Sequence, residues 1–167
     1  MAGFGGQGVM LIGKLYASLA AQKYEHVTYF PSYGSEVRGG TAHCGIIIAD
    51  SEIGSPMVEE ADTVIVLNQM SAEKFKSRVV KGGLILVNST LANVNGTPGA
   101  IKVPATEIAN KLGEVRSANM VMLGAYLKHK PIVELSAAMD AIAKALGKRK
   151  SHLAAINQQA LQLGYDL

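Results

Sequence analysis

Gly3-Phe4-Gly5-Gly6-Gln7-Gly8-Val9-Met10 is the stretch from which the fold is read. Four glycines in six residues remove side chains where a backbone turns tightly or lets a ligand come close. Val9, Leu11, Ile12, Leu15, Leu19 and Ala20 then recur at three- and four-residue spacing, and no proline intervenes before Pro31. That periodicity predicts a helix opening directly from the glycine loop. The unpaired N–H groups and positive dipole end of such a helix suit an anion.

The spacing Gly3-x-Gly5-x-x-Gly8 also satisfies the dinucleotide fingerprint, but two checks go against that reading. Only Met1 and Ala2 precede the glycines, so the first strand is expected to be missing or a stub, with the start clipped and a sheet edge left unpaired. No acidic residue ends the second strand: His26-Val27-Thr28-Tyr29-Phe30 runs into Pro31-Ser32-Tyr33, and Glu25 precedes it.

Outward from the loop, strands alternate with helices. Cys44–Ala49, Thr63–Asn68 and Leu84–Asn88 are apolar or β-branched runs that read as strands, and Ala100–Val103 is a short edge strand before Pro104. Ser71 is expected to cap a helix through Glu73, Phe75 and Val79, ended by Lys81-Gly82-Gly83. Helices are expected from Thr106, from Asn119, from Pro131 through Leu146, and from Ser151 to Gly164. The pattern predicts a three-layer α/β/α fold on a mostly parallel sheet, with the first strand truncated or missing. Ligands of such sheets sit at the C-terminal ends of parallel strands, so the glycine loop, Pro31–Gly40 and Asn68-Gln69-Met70 should share one rim.

A chain of 167 residues with 49% hydrophobic residues has the length and composition of one globular domain. No apolar run approaches the roughly 20 residues of a spanning helix. No signal peptide is visible, and a cytoplasmic, membrane-free setting is expected. The lone Cys44 excludes an internal disulfide, an iron–sulfur cluster or a Cys-rich zinc site built by this chain. The net charge is +3, with Lys144, Lys148, Arg149, Lys150 and His152 clustered late in the chain. That cluster reads as a solvated helix end ahead of a docking patch, and the absence of an aromatic platform argues against nucleic acid.

The densest polar set is Tyr33-Gly34-Ser35-Glu36-Val37-Arg38-Gly39-Gly40-Thr41. Arg38 is a fork for carboxylate or phosphate, Gly39 and Gly40 free the backbone beside it, and Ser35 and Thr41 add donors. Pairing of Glu36 with Arg38, merely to fix the loop, is an equal alternative. Cys44 heads an apolar strand and reads as core, and neighbouring His43 should point to the opposite face. Asp50, Glu52, Glu59, Glu60 and Asp62 read as a solvated connection rather than a metal site. No catalytic set or metal site is read from these residues alone.

The opening Gly3–Val9 followed by Tyr33–Gly40 resembles the gamma subunit, or gamma domain, of 2-oxoacid:ferredoxin oxidoreductases. Ile53-Gly54-Ser55-Pro56, Ala61-Asp62, Asn119–Ala125 and Asn157-x-x-Ala160-x-x-x-Gly164 extend the similarity over nearly all of residues 1–167, taken as a single gamma domain. The resemblance implies a subunit of a complex that converts a 2-oxoacid, coenzyme A and oxidised ferredoxin into acyl-CoA, CO2 and reduced ferredoxin. It implies alpha and beta partners, a delta subunit where one is present, and ferredoxin reached through the complex. Thiamine diphosphate, Mg and iron–sulfur clusters are then expected on those partners, with coenzyme A as co-substrate. The 2-oxoglutarate or branched-chain type is favoured over the indolepyruvate type, with 2-oxoglutarate expected. The rim residues Gly5, Gly6, Gln7, Gly8, Ser35, Glu36, Arg38, Gly39 and Gly40 become candidates for the CoA phosphates. A free-standing Rossmann-like nucleotide-binding enzyme and a purely architectural subunit stand as alternatives.

Overall fold

The glycine loop does lie between a strand and a helix. The computed structural model describes residues 1–33, 41–93, 95, 97, 99–146 and 151–167. Its strands are β1 (Ala2–Phe4), β2 (His26–Ser32), β3 (Thr41–Ala49), β4 (Ala61–Val66), β5 (Val79–Asn88) and β6 (Ala100–Val103). Its helices are α1 (Val9–Ala20), α2 (Gln69–Phe75), α3 (Ala105–Lys111), α4 (Ala118–His129), α5 (Leu135–Leu146) and α6 (Ser151–Tyr165). Lys76–Arg78 and Val115–Ser117 form single 3-10 turns.

The sheet order is β2-β3-β1-β4-β5-β6. β1, β4, β5 and β6 run parallel, while β3 is antiparallel to both β1 and β2. The first strand is a three-residue stub, as expected; it lies in the middle of the sheet but pairs β3 only at Thr41–His43 and β4 only at Val66, so the facing edges of β3 after Cys44 and of β4 before Val66 have no ladder partner among the described residues. β2 is an edge strand, which is why it runs on through Pro31: the missing N–H falls where no ladder partner needs it.

One face of the sheet is covered by α1, α3, α4, α5 and α6, whose apolar side chains merge with Cys44, Ile65, Leu67 and Leu86 in one core. The other carries a thinner layer, with Ala72 and Phe75 of α2 packed on Ala2, Val64, Val66, Ile85 and Val87. α4 is buried on nearly every side, from Ala118 through Leu127, as expected of a helix apolar all round. Its contact with α6 is backbone on backbone. A side chain at Gly124 would strike the carbonyl of Leu161, and one at Gly164 the carbonyl of Val121. Gly164 is therefore a crossing point inside α6 rather than its stop.

Three other local expectations shift. Asn68, not Ser71, caps α2: its Oδ1 accepts the Ser71 N–H at 2.9 Å, so the helix begins earlier and ends at Phe75. Lys81-Gly82-Gly83 lies inside β5, where Gly82 at φ 82° serves an irregularity in the register opposite Ala61 and Thr63. Pro131 precedes the start of α5 by four residues and so is not its first helical position.

Candidate functional site

β1 ends at Phe4, and the chain turns through Gly5–Gly8 into α1 at the C-terminal rim of the parallel strands. Gly8 stands at the helix cap with φ 73°, and Gly6 has φ 97°, left-handed values that favour glycine. Gly8 is also fixed by contact, because Asn119 Nδ2 donates to its carbonyl at 3.2 Å and a Cβ there would collide with that amide. No side chain caps α1, and its first turn carries no acid. The leading N–H groups are thus open to an anion.

Gln7 holds the loop in place. Its Oε1 accepts the Phe4 N–H and the Asn68 Nδ2, both at 2.7 Å, while its Nε2 donates to Leu67 O at 3.4 Å. Asn88 continues the network inward. Its Nδ2 donates to Leu67 O at 3.1 Å and Thr106 Oγ1 at 2.8 Å, and its Oδ1 accepts the Thr106 N–H at 3.2 Å. One chain of amides therefore ties the ends of β1, β4 and β5 to the starts of α2 and α3.

This geometry sorts the expected residues. Gly5 and Gly6 are exposed with open space around them, so their backbone is approachable. Gln7 braces the loop through these bonds. Asn68 shares the rim, as expected, and bonds directly to Gln7. Phe4 pairs with Thr41 and Ser32 with His43, so the chain leaves β2 and re-enters β3 beside the glycine loop. Ser35, Glu36, Arg38, Gly39 and Gly40 lie outside the described residues. Asn88, Thr106 and Asn119 are legible in the sequence only as ends of elements, not as supports of the rim. The available signal was a polar residue closing an apolar strand, or opening an apolar helix.

The Cys44–His43 pair is split as expected. Cys44 is buried under α1, with Sγ 3.8 Å from Val9 O, and burial pushes its thiol pKa up. His43 faces the other way and packs on Phe75 at 4.9 Å between ring centroids. Burial, then the charges of Lys74 and Arg78, hold its pKa below the usual imidazole value. A thiol so placed should react with a disulfide reagent at least tenfold more slowly in the native chain than in denaturant. Equal rates would contradict its core position. Among the described residues no three His, Cys, Asp or Glu side chains converge on a metal site, and no helix is long and apolar enough to cross a membrane.

Comparison with known proteins places these features. Residues 1–167 match the family model for pyruvate ferredoxin/flavodoxin oxidoreductase. Ketoisovalerate oxidoreductase subunit VorA of Methanothermobacter thermautotrophicus is 46% identical over 127 residues, which is 74% of this chain and 26% of that protein. The chain thus aligns with about a quarter of that relative's length. 2-Oxoglutarate synthase subunit KorC of Methanocaldococcus jannaschii is 31% identical over 175 residues, covering 100% of this chain and 91% of KorC. The crystal structure of the gamma subunit of a keto/oxoacid ferredoxin oxidoreductase from Geobacter sulfurreducens PCA superposes with a TM-score of 0.80 at 27% identity, over 99% of this chain and 91% of that one. The chain belongs to the pyruvate ferredoxin/flavodoxin oxidoreductase family.

Proposed function

We propose that this chain is the gamma component of a 2-oxoacid:ferredoxin oxidoreductase and that its rim helps to seat coenzyme A. The observation that carries the assignment is the similarity to KorC, a subunit of comparable size matched over 91% of its length. Residues 1–167 act as one gamma domain in this reading. The partners are the alpha and beta subunits, with a delta subunit where the complex has one, and ferredoxin docks on the assembled enzyme. Oxidative decarboxylation draws on thiamine diphosphate, Mg and iron–sulfur clusters, which this reading assigns to those partners. The work of this chain is binding and orientation.

The exposed amides of Gly5 and Gly6 and the uncapped start of α1 attract phosphate oxygens through N–H donors and the helix dipole. The Gln7–Asn68 brace holds those donors in position before the ligand arrives, which lowers the ordering cost of binding. Ser35, Glu36, Arg38, Gly39 and Gly40 are the further candidates this reading proposes for the CoA phosphates, with Arg38 as the charged fork. The substrate is a 2-oxoacid of the 2-oxoglutarate or branched-chain type, a preference supported by the names of the KorC and VorA relatives.

Arg38→Ala in the assembled enzyme should raise KM for coenzyme A about tenfold, the scale of one charge-assisted hydrogen bond, and leave kcat nearly unchanged. A KM equal to wild type in an intact complex would remove the CoA role and favour the purely architectural reading.

A further inference from the structure

Asn119 is the one amide in a helix that is buried from Ala118 through Leu127, and it is itself only 3% exposed. Its Nδ2 donates to the Gly8 carbonyl at 3.2 Å. Its Oδ1 is buried and has no hydrogen-bond partner among the described residues. The amide cannot turn over to relieve this, because Oδ1 would then face the Gly8 carbonyl oxygen, acceptor against acceptor. An unmet acceptor in the interior is destabilising, and an apolar side chain of similar shape would remove it. Leucine also suits a helix better than asparagine. Neither packing nor helix propensity accounts for this residue. What it does have is one bond, to the glycine that opens α1.

That bond fixes a direction. The Gly8 carbonyl also accepts the Ile12 N–H at 3.1 Å, so two donors hold it toward the body of the helix. In a trans peptide the C=O and N–H point opposite ways. The Val9 N–H is therefore directed out of the helix end, on the side of the glycine loop. Gly8, at φ 73° and ψ 22°, is the residue whose backbone could most easily rotate and turn this peptide over. A turned peptide would present a carbonyl oxygen where an anion needs an N–H. The loop is thus pinned at both ends by different elements, Gln7 to the ends of β1 and β4 and Gly8 to α4. Between them Gly5 and Gly6 stand in open space.

We infer that Asn119 is a positioning residue for the anion seat: acting through the Gly8 carbonyl, it keeps the leading N–H groups of α1 turned toward a phosphate group of the ligand. The inference rests on the CoA-seating reading and adds the residue that sets the orientation of that seat. Asn119 touches no ligand in this account. Its effect is on the order already present before binding, which is what a donor set fixed in advance contributes to affinity. The unmet Oδ1 is the stability given up for that order, as occurs where a site and the fold make different demands on one residue.

Asn119→Leu and Asn119→Ala test this in the assembled enzyme, purified anaerobically, with coenzyme A as the probe and Arg38→Ala alongside. The two Asn119 variants both lack the amide donor and differ in volume. Both should raise KM for coenzyme A at least fivefold with kcat within twofold of wild type, and Asn119→Leu should melt no lower than wild type. In the same complex without coenzyme A, hydrogen exchange at the Ile12 amide should be at least fivefold faster in both, since its acceptor has lost its second donor. A lower melting temperature with wild-type KM is what a merely structural bond produces, and overturns the inference. A KM raised by leucine alone also overturns it, because bulk rather than the missing donor would then be the cause. Variants that no longer assemble overturn it as well, in favour of a structural residue. If Arg38→Ala raises KM and neither Asn119 variant does, this inference falls and the CoA-seating reading stands. If none of the three variants moves KM, the CoA-seating reading fails and takes this inference with it.

Discussion

Gly124→Ala should cost about 3 kcal/mol, the upper range for overpacking a close contact. For a domain of this size that lowers Tm by roughly 6–12 °C. The reason is the neighbour. A flexible side chain could step aside, but the atom that a Cβ at Gly124 would strike is the carbonyl of Leu161, fixed within α6. Gly164→Ala meets the carbonyl of Val121 in α4 and should cost about as much. Either change must push α4 and α6 apart. Separation that admits one methyl also makes room for the other, so the double variant should lose less than the sum of the singles, with a coupling of about 1 kcal/mol or more. Denaturant melts of the three variants measure this directly. Full additivity would mean that the two glycines do not share one helix contact.

Asn88→Ala is the second large effect, at about 3 kcal/mol. Asn88 is fully buried and serves Leu67 O, the Thr106 N–H and Thr106 Oγ1 at once. Alanine removes these bonds without removing the groups that made them, and unmet polar groups in the interior are the costly outcome. The effect should reach the rim as well. Leu67 O also receives Gln7 Nε2, and Gln7 holds the Phe4 N–H and Asn68. A loosened Leu67 therefore loosens the brace of the glycine loop. The variant should show both a lower denaturation midpoint and, in the assembled enzyme, a raised KM for coenzyme A. A stability loss below 1 kcal/mol would show that the network is not a shared support.

The residues that were legible in advance are those whose signals are local. Val9–Ala20 forms the helix that its own periodicity dictates, and Ala100–Val103 is a strand with its predicted bounds. The alternation of strands and helices, the rim shared by the glycine loop and Asn68, and the core position of Cys44 also followed from neighbouring sequence. What stayed hidden depends on distant partners. Gly164 looks like a helix stop because glycine usually is one, and only the approach of Val121 from α4 shows its other use. Asn68 and Ser71 are both good caps, and the choice between them depends on where α2 meets the sheet. Gly82 has the left-handed backbone of a helix terminator but spends it on an irregular strand. Gln7 reads as part of the glycine loop, and its bonds to Leu67 and Asn68, about sixty positions away, are not legible in it. The polar chain through Asn88 and Thr106 has no period at all, since each link joins the end of one element to the start of another.

The most direct measurement is anaerobic purification of a tagged, full-length form of this chain from its host, with co-purifying chains identified by mass and the sample assayed for viologen reduction. The predicted result is recovery of larger partner chains together with dye reduction that requires both coenzyme A and a 2-oxoacid, fastest with 2-oxoglutarate or ketoisovalerate across a panel that includes pyruvate and indolepyruvate. Recovery of the chain alone, inactive toward every 2-oxoacid and binding NAD(H), would contradict the account.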